Sequence, residues 1–314
     1  MWASDAHATG SVMTDQSLRV TQTRSLESPR SLWTKVRAYW SLTKDLQTGL
    51  LLVTGLAGYM SGHPSRATWS SVAALLATLF LTVGGSTVLN MVIDRDIDAR
   101  MTRTRHRPIP AGLVSPIEGM LLGSGMVLAG GIWALSIAPL YGIVVLAGVL
   151  VDVLVYTCWL KRRTPWSIVW GGIAGGLPAL AGRALAVGGI DAIGLWLALS
   201  VLLWIPTHIM TFSIKYAGDY RSASVPVFPN HYGVRVTRWI IGISTAAAVA
   251  TMLWAMYALD LNATLMWIAR ALGGILAAFT LTTTIHTTPR RTTWLYKLAS
   301  LYMLGSMIVL IAGA

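Results

Sequence analysis

Charged side chains make up only 11% of this chain, against roughly 25% in a typical soluble domain. So few charges exclude an ordinary water-soluble core with a solvated shell. Cysteine is nearly absent: with Cys158 alone, neither an intramolecular disulfide nor a cysteine-built metal cluster can form. Acidic residues are also few, 12 against 24 Lys and Arg, which leaves a formal net charge of +12. Such an excess invites a nucleic-acid reading, but the positions of the charges decide the matter. What fills the 314 residues instead is apolar, 54% by count, with a mean hydropathy of +0.62.

Residues 1 to about 30 are polar, rich in Ser, Thr and Arg, and hold no signal-peptide hydrophobic core. They are expected to form a disordered cytoplasmic tail ahead of a membrane domain over 31–314. Ser31 to Lys44 mixes Trp33, Val36, Tyr39 and Trp40 with Lys35, Arg37 and Lys44. This is either an amphipathic helix on the membrane surface or the aromatic flank of a first span. Apolar segments then recur at about 46–62, 69–93, 113–134, 138–159, 166–187, 192–214, 236–258, 263–285 and 294–313. Each approaches the length of about 20 residues that crosses a bilayer, so the fold expected is all-α, polytopic, with nine transmembrane helices. The fifth contains GGIAGGLPALAGRALAVGG (Gly171 to Gly189), whose small residues suit close helix packing and whose Pro178 suits a kink. No strand precedes these glycines, which argues against a nucleotide-binding loop.

Twenty-one of the 24 Lys and Arg fall in the tail and in every second loop, leaving Arg66, Arg183 and Arg270 elsewhere. The positive-inside rule places the N-terminus in the cytoplasm and, with an odd number of spans, the C-terminus outside. Topology thus accounts for the net charge, and no nucleic-acid partner is expected.

Two polar clusters interrupt the apolar pattern on the side of the positive loops. The first is NMVIDRDIDARMTRTRHRPIP, Asn90 to Pro110. If the preceding helix continues into it, Asn90, Asp94 and Asp98 lie four residues apart on one face. Three oxygen-bearing side chains there suit Mg²⁺, which commonly bridges a carboxylate and a substrate phosphate, and the arginines behind offer forked donors for phosphate oxygens. A solvated loop is the plain alternative, yet this cluster begins inside an apolar segment, where an Asp costs about 2.5–3.5 kcal/mol at mid-helix. The second cluster, Trp204 to Gly233, carries His208 within the sixth segment and Lys215, Asp219, Tyr220 and Arg221 at its end. Asp219 is the only carboxylate between Asp191 and Asp260 and so a candidate second anchor for a metal–diphosphate. Asp152 and Arg183 are ionisable residues inside apolar segments and therefore functional suspects; a mutual pair is one arrangement open to them.

The Asn90–Asp94–Asp98 spacing, followed by Arg103-Thr104 and Arg107-Pro108, resembles the first aspartate motif of the UbiA family of intramembrane prenyltransferases. Tyr156 to Gly189, Pro206 to Ile214 and Asp219 to Gly233 are similar to the branch of that family that farnesylates haem B. The resemblance runs from about Leu42 to the end of the ninth segment and departs from the branch at Thr207, Arg183, Ser224 and Tyr216-Ala217-Gly218. It implies nine helices around a central cavity open to lipid, and Mg²⁺-dependent transfer of farnesyl from farnesyl diphosphate to the 2-vinyl group of haem B, giving haem O. By motif matching, Asn90, Asp94, Asp98 and Asp219 would hold the metal, and Arg103, Arg107 and Lys215 would serve the diphosphate. Tyr156, Lys161, His208 and Tyr220 would contact substrate. His208 is either a porphyrin ligand or contact, or a hydrogen-bonded structural histidine.

Ionising an allylic diphosphate needs cations at the leaving group and an apolar cavity that excludes water, and this chain has residues for both. The rival readings are a family member with another acceptor (an aromatic acid, a chlorophyll precursor or a glycerophosphate lipid) and a polytopic transporter. No internal repeat supplies the second Asn90-like cluster that a two-halved transporter would commonly show.

Overall fold

The structure, a computed structural model, describes residues 32–64, 68–286 and 288–314. The expected N-terminal tail lies outside the described residues. Among the described residues thirteen helices follow in order: α1 (Leu32–Leu42), α2 (Asp45–Met60), α3 (Trp69–Ile93), α4 (Arg95–Arg100), α5 (Pro116–Ile137), α6 (Pro139–Leu160), α7 (Ser167–Val187), α8 (Ala192–Lys215), α9 (Ala217–Ser222), α10 (Phe228–His231), α11 (Gly233–Ala258), α12 (Ala263–Ile285) and α13 (Pro289–Ala312). Eight of them are long and apolar enough to cross a membrane, and no strand occurs among the described residues. The remaining expected span is α2, only 16 residues and thus about 24 Å long at 1.5 Å per residue.

Local chemistry sets the boundaries. Thr68 with Ser71, and Ser115 with Glu118, form reciprocal capping boxes that start α3 and α5. Asp191, Asn262 and Thr288 cap α8, α12 and α13 through the amides of Gly194, Leu265 and Arg291. Gly188, at φ +73°, ends α7 in the left-handed conformation that a side chain would resist. α1 covers Leu32–Leu42 of the aromatic, basic segment ahead of the first span, and Lys35 ties it to Glu118 of α5 at 3.1 Å.

In a bilayer, helices associate through packing rather than hydrophobic collapse, so small residues mark the contacts. A Cβ at Gly58 would sit 2.0 Å from the Ala179 carbonyl oxygen, and one at Gly182 would sit 2.0 Å from that of Gly55. Bare backbone at both positions is therefore what lets α2 and α7 cross so closely. Leu121, Leu128, Ile132, Ile143 and Leu154 of α5 and α6 face outward, as a lipid-facing wall requires. The alternating helices bring the ends of α3, α6, α8 and α12 to one face of the bundle, where α4, α9 and α10 lie.

Candidate active site

The end of α6 departs from α-geometry. Val151–Leu160 runs as a π-helix, and the Lys161 amide accordingly bonds the Tyr156 carbonyl, five residues back, at 2.8 Å. Such widened turns are rare and often occur at functional sites. Here the segment lies against α3 and presents Asp152, Thr157 and Lys161 to the first aspartate cluster. Asp152 Oδ2 accepts from Ser86 Oγ and, at 2.8 Å, from Asn90 Nδ2. Thr157 Oγ1 donates to Asn90 Oδ1 at 2.7 Å. The Asn90 amide is thus gripped at both ends, with one lone pair of its Oδ1 still available.

α3 ends at Ile93, but the i→i−4 pattern carries on through Asp94 into α4, with the Asp94 amide on Asn90 and the Asp98 amide on Asp94. The expected common face is therefore kept. Asp94 and Asp98 are each only 4% exposed. Lys161 Nζ lies on Asp94 Oδ2, while Arg107 Nη1 bonds both oxygens of Asp98 at 3.0 and 2.8 Å. Asp94 Oδ1 is buried without a hydrogen-bond partner. Burial opposes the Lys161 ammonium, but Tyr156 and Asp94 outweigh it, so its pKa is raised. Arg162 forks onto Asp96 at 2.6 and 2.8 Å, and that bond leads the causes that hold the Asp96 pKa down at about 2.

The second cluster meets the first. Asp219 Oδ2 accepts from the Arg103 amide at 3.2 Å, and Ser222 Oγ reaches the Arg100 carbonyl at 3.4 Å. Ile97 and Met101 pack on Ala223, Val225 and Val227, with Tyr220 at the edge. Among the described residues, no three His, Cys, Asp or Glu side chains converge as a metal cluster. What joins Asp219 to Asp94 and Asp98 is the Arg103 amide and this apolar contact, rather than a shared set of three carboxylates.

The side chains of Arg103 and Lys215 lie along aromatic residues at the end of α8. The Arg103 guanidinium stacks over Phe212 and Tyr216, 4.7 and 5.4 Å from their centroids, with its Nε buried and unpartnered. Lys215 lies 5.1 Å from the Tyr216 ring and, with Lys297, borders a groove of about 130 Å³ between α8 and α13. Deeper along α8, His208 stacks between Trp204 and Tyr296 at 4.7 and 4.4 Å, and its Nδ1 meets Ser300 Oγ at 3.2 Å. Phe212 continues this aromatic wall, 5.6 Å from Tyr296.

Asp152 and Arg183 are not paired. Arg183 forks onto Asp191 at 2.7–2.9 Å and donates to the Ser61 carbonyl at 2.5 Å, fastening the opposite end of the bundle. Thr207, also a departure from the branch pattern, is buried and bonds Thr245 of α11 at 2.7 Å. Both departures therefore serve packing. Lys44, counted in the sequence only as a positive charge, is pulled into the site. Burial, then Arg107 and Lys161, lower its pKa to about 8, while Asp152 and Asp98 act the other way.

Comparison with known proteins decides the family. Residues 51–304 match the model of the UbiA prenyltransferase family. The chain belongs to the UbiA prenyltransferase family. A protoheme IX farnesyltransferase of Thermofilum pendens is 44% identical over 217 residues, 69% of this chain and 76% of its own length. Another of that name, from Desulforudis audaxviator, is 36% identical over 274 residues, 85% of both chains. Among solved structures, a digeranylgeranylglyceryl phosphate synthase covers 89% of this chain and 98% of its own, with a TM-score of 0.72 at 17% identity. A UbiA homologue of Archaeoglobus fulgidus bound to GPP and Mg²⁺ gives 0.64 at 14%, covering 88% of this chain and 99% of its own. At these identities the two structures show the UbiA fold alone, and the chain is a multi-pass, all-helical membrane protein of that fold.

The residues present fit the divalent cation of a UbiA site. The donors on this face are all oxygens, the choice of Mg²⁺. Asp94 offers a buried carboxylate oxygen with no other hydrogen-bond partner, and Asn90 is held with a lone pair to spare.

Proposed function

We propose that this protein converts haem B to haem O by transferring farnesyl from farnesyl diphosphate to the 2-vinyl group. One observation carries the reading. A pre-formed Asn90–Asp94–Asp98 face, with a buried carboxylate oxygen that accepts no hydrogen bond and has only Arg162 at 3.9 Å, occurs in a chain 36–44% identical to relatives named protoheme IX farnesyltransferase.

Asn90, Asp94 and Asp98 would hold Mg²⁺, with Asp219 as the second anchor on the facing segment. The ion supplies Lewis-acid stabilisation of the charge developing on the diphosphate. Arg107 and Lys161, already against the two carboxylates, bind phosphate oxygens, and Lys44 adds a third positive charge. Tyr156 and Tyr220 border the site and exclude water from it. The C1–O bond of farnesyl diphosphate breaks with its electrons on the leaving diphosphate. The vinyl π electrons then form the new bond to C1, and water adds to the porphyrin-side cation with release of a proton.

Haem B would lie against the stacked aromatic wall of Trp204, His208, Tyr296 and Phe212, which Arg103 joins to the segment of Asp219. Lys215, Lys297 and Arg103 at its open end match the carboxylates of a porphyrin, so Lys215 serves the acceptor rather than the diphosphate. The positive loops support a site on the cytoplasmic side, with the N-terminus in the cytoplasm and the C-terminus outside.

The test is to incubate purified protein with haem B, farnesyl diphosphate and Mg²⁺ and to search for haem O by mass. Haem O formation is the expected result. No product, from protein that still binds farnesyl diphosphate with Mg²⁺, would defeat the haem reading.

A further inference from the structure

One cavity of the molecule takes no part in this chemistry. About 380 Å³ in volume, it opens between the start of α11 and the end of α12, lined by Arg235, Arg238, Trp239, Thr284 and Ile285. That volume lies at the small end of the roughly 300–1,000 Å³ usual for ligand pockets. The two helices lie side by side here, since a Cβ at Gly242 would be 3.7 Å from Thr284 Oγ1. Arg235 and Arg238 are three residues apart and so share a face of α11.

Both arginines lack a counter-charge. Among the described residues neither guanidinium has a hydrogen-bond or ion-pair partner, and Arg238 Nε is buried in that condition. Arg107 on Asp98, Arg162 on Asp96 and Arg291 on the His286 carbonyl show how arginines elsewhere on this face are met from within the chain. Nor does any carboxylate among the described residues pair with Arg235 or Arg238. After Asp219 the only acidic residue is Asp260, beyond the far end of α11. Burying an unmet donor on a charged group is costly, so a site of this kind calls for an anion from outside the chain.

The surroundings specify which anion. Trp239 and Ile243 on α11, and Leu281 and Ile285 on α12, are exposed and four residues apart on their helices. They form two apolar strips running from the arginines into the depth of the bilayer. A guanidinium pair at the membrane boundary, an indole beside it and apolar surface below match a phosphate headgroup with acyl chains.

We propose that this cavity is a binding site for an anionic glycerophospholipid, with Arg235 and Arg238 on the lipid phosphate and the acyl chains along the α11–α12 strips. The site is independent of the prenyl-transfer reading, because none of its residues belongs to that machinery.

The experiment is a lipid titration of the purified protein in neutral detergent, read by native mass spectrometry. Phosphatidylglycerol and phosphatidylcholine of matched chains are compared, with inorganic phosphate as competitor. The wild type binds phosphatidylglycerol in preference to phosphatidylcholine. The Arg235→Gln/Arg238→Gln protein loses roughly 30-fold in phosphatidylglycerol affinity and little for phosphatidylcholine. Unchanged Mg²⁺-dependent farnesyl diphosphate binding checks the fold of that variant. Equal wild-type affinity for the two lipids overturns the proposal without recourse to the variant. Undiminished phosphatidylglycerol binding by the double variant overturns it as well. Full displacement of the lipid by inorganic phosphate would make this a free-anion site and overturn the lipid assignment.

Discussion

Lys44 shows how far a side chain's role depends on what folds around it. In sequence it is one basic residue at the end of an aromatic segment; in the structure it stands at φ +46° between α1 and α2, within electrostatic reach of Arg107, Lys161, Asp152 and Asp98. With a pKa of about 8, it is mostly charged at neutral pH and loses its proton just above. A bound diphosphate favours the charged form, so affinity should hold below about pH 8 and decline as pH rises through it. The KM for farnesyl diphosphate measured across that range should rise on the alkaline side, and Lys44→Gln should flatten the rise while raising KM throughout. An alkaline limb that survives in the variant would assign the titration to another group. At this scale the sequence discloses the common face of Asn90, Asp94 and Asp98, because four-residue spacing on a helix is a strong geometric constraint. The stacking of Arg103 on Phe212 and Tyr216, and of Lys215 on Tyr216, leaves no spacing signature. Nothing marked the pairing of Arg162 with Asp96, which joins segments 66 residues apart.

Among the elements, the apolar periodicity disclosed every long helix to within a few residues, and what it missed was departure from regular geometry. VDVLVYTCWL reads as an ordinary stretch of span; only the structure shows its π-turns and the grip of Thr157 and Asp152 on Asn90. The small-residue spacing of α7 does mark a packing face, and the energetic weight of its glycines follows from the distances. Gly182→Ala would force a methyl group to 2.0 Å from the Gly55 carbonyl, within rigid backbone. It should cost about 1–3 kcal/mol. Gly49→Ala, in the same pair of helices but with no neighbour within 4 Å of the new Cβ, should be neutral or stabilising by up to about 1 kcal/mol. Thermal unfolding in detergent should therefore show a lowered midpoint for the first and an unchanged or raised one for the second. Equal midpoints would mean that α2 and α7 are not in such close contact.

At the scale of the whole molecule, the positive loops and the aspartate clusters share one face, and the Arg183–Asp191 bridge closes the other. Orientation is then a single choice for the entire bundle. In a Cys158→Ser background, a membrane-impermeant maleimide applied to intact cells should label the Asp260→Cys protein, and the Arg163→Cys protein only after lysis; the reverse pattern would invert the topology. The account as a whole stands on the Asn90–Asp94–Asp98 face as the seat of a Mg²⁺-bound diphosphate. Calorimetric titration of farnesyl diphosphate, with Mg²⁺ and then with a chelator, tests that most directly. Wild-type affinity should depend on Mg²⁺, and the Asp94→Asn/Asp98→Asn protein should bind at least about 100-fold more weakly, with little response to the ion. Wild-type-like, Mg²⁺-dependent binding by that variant would contradict the account.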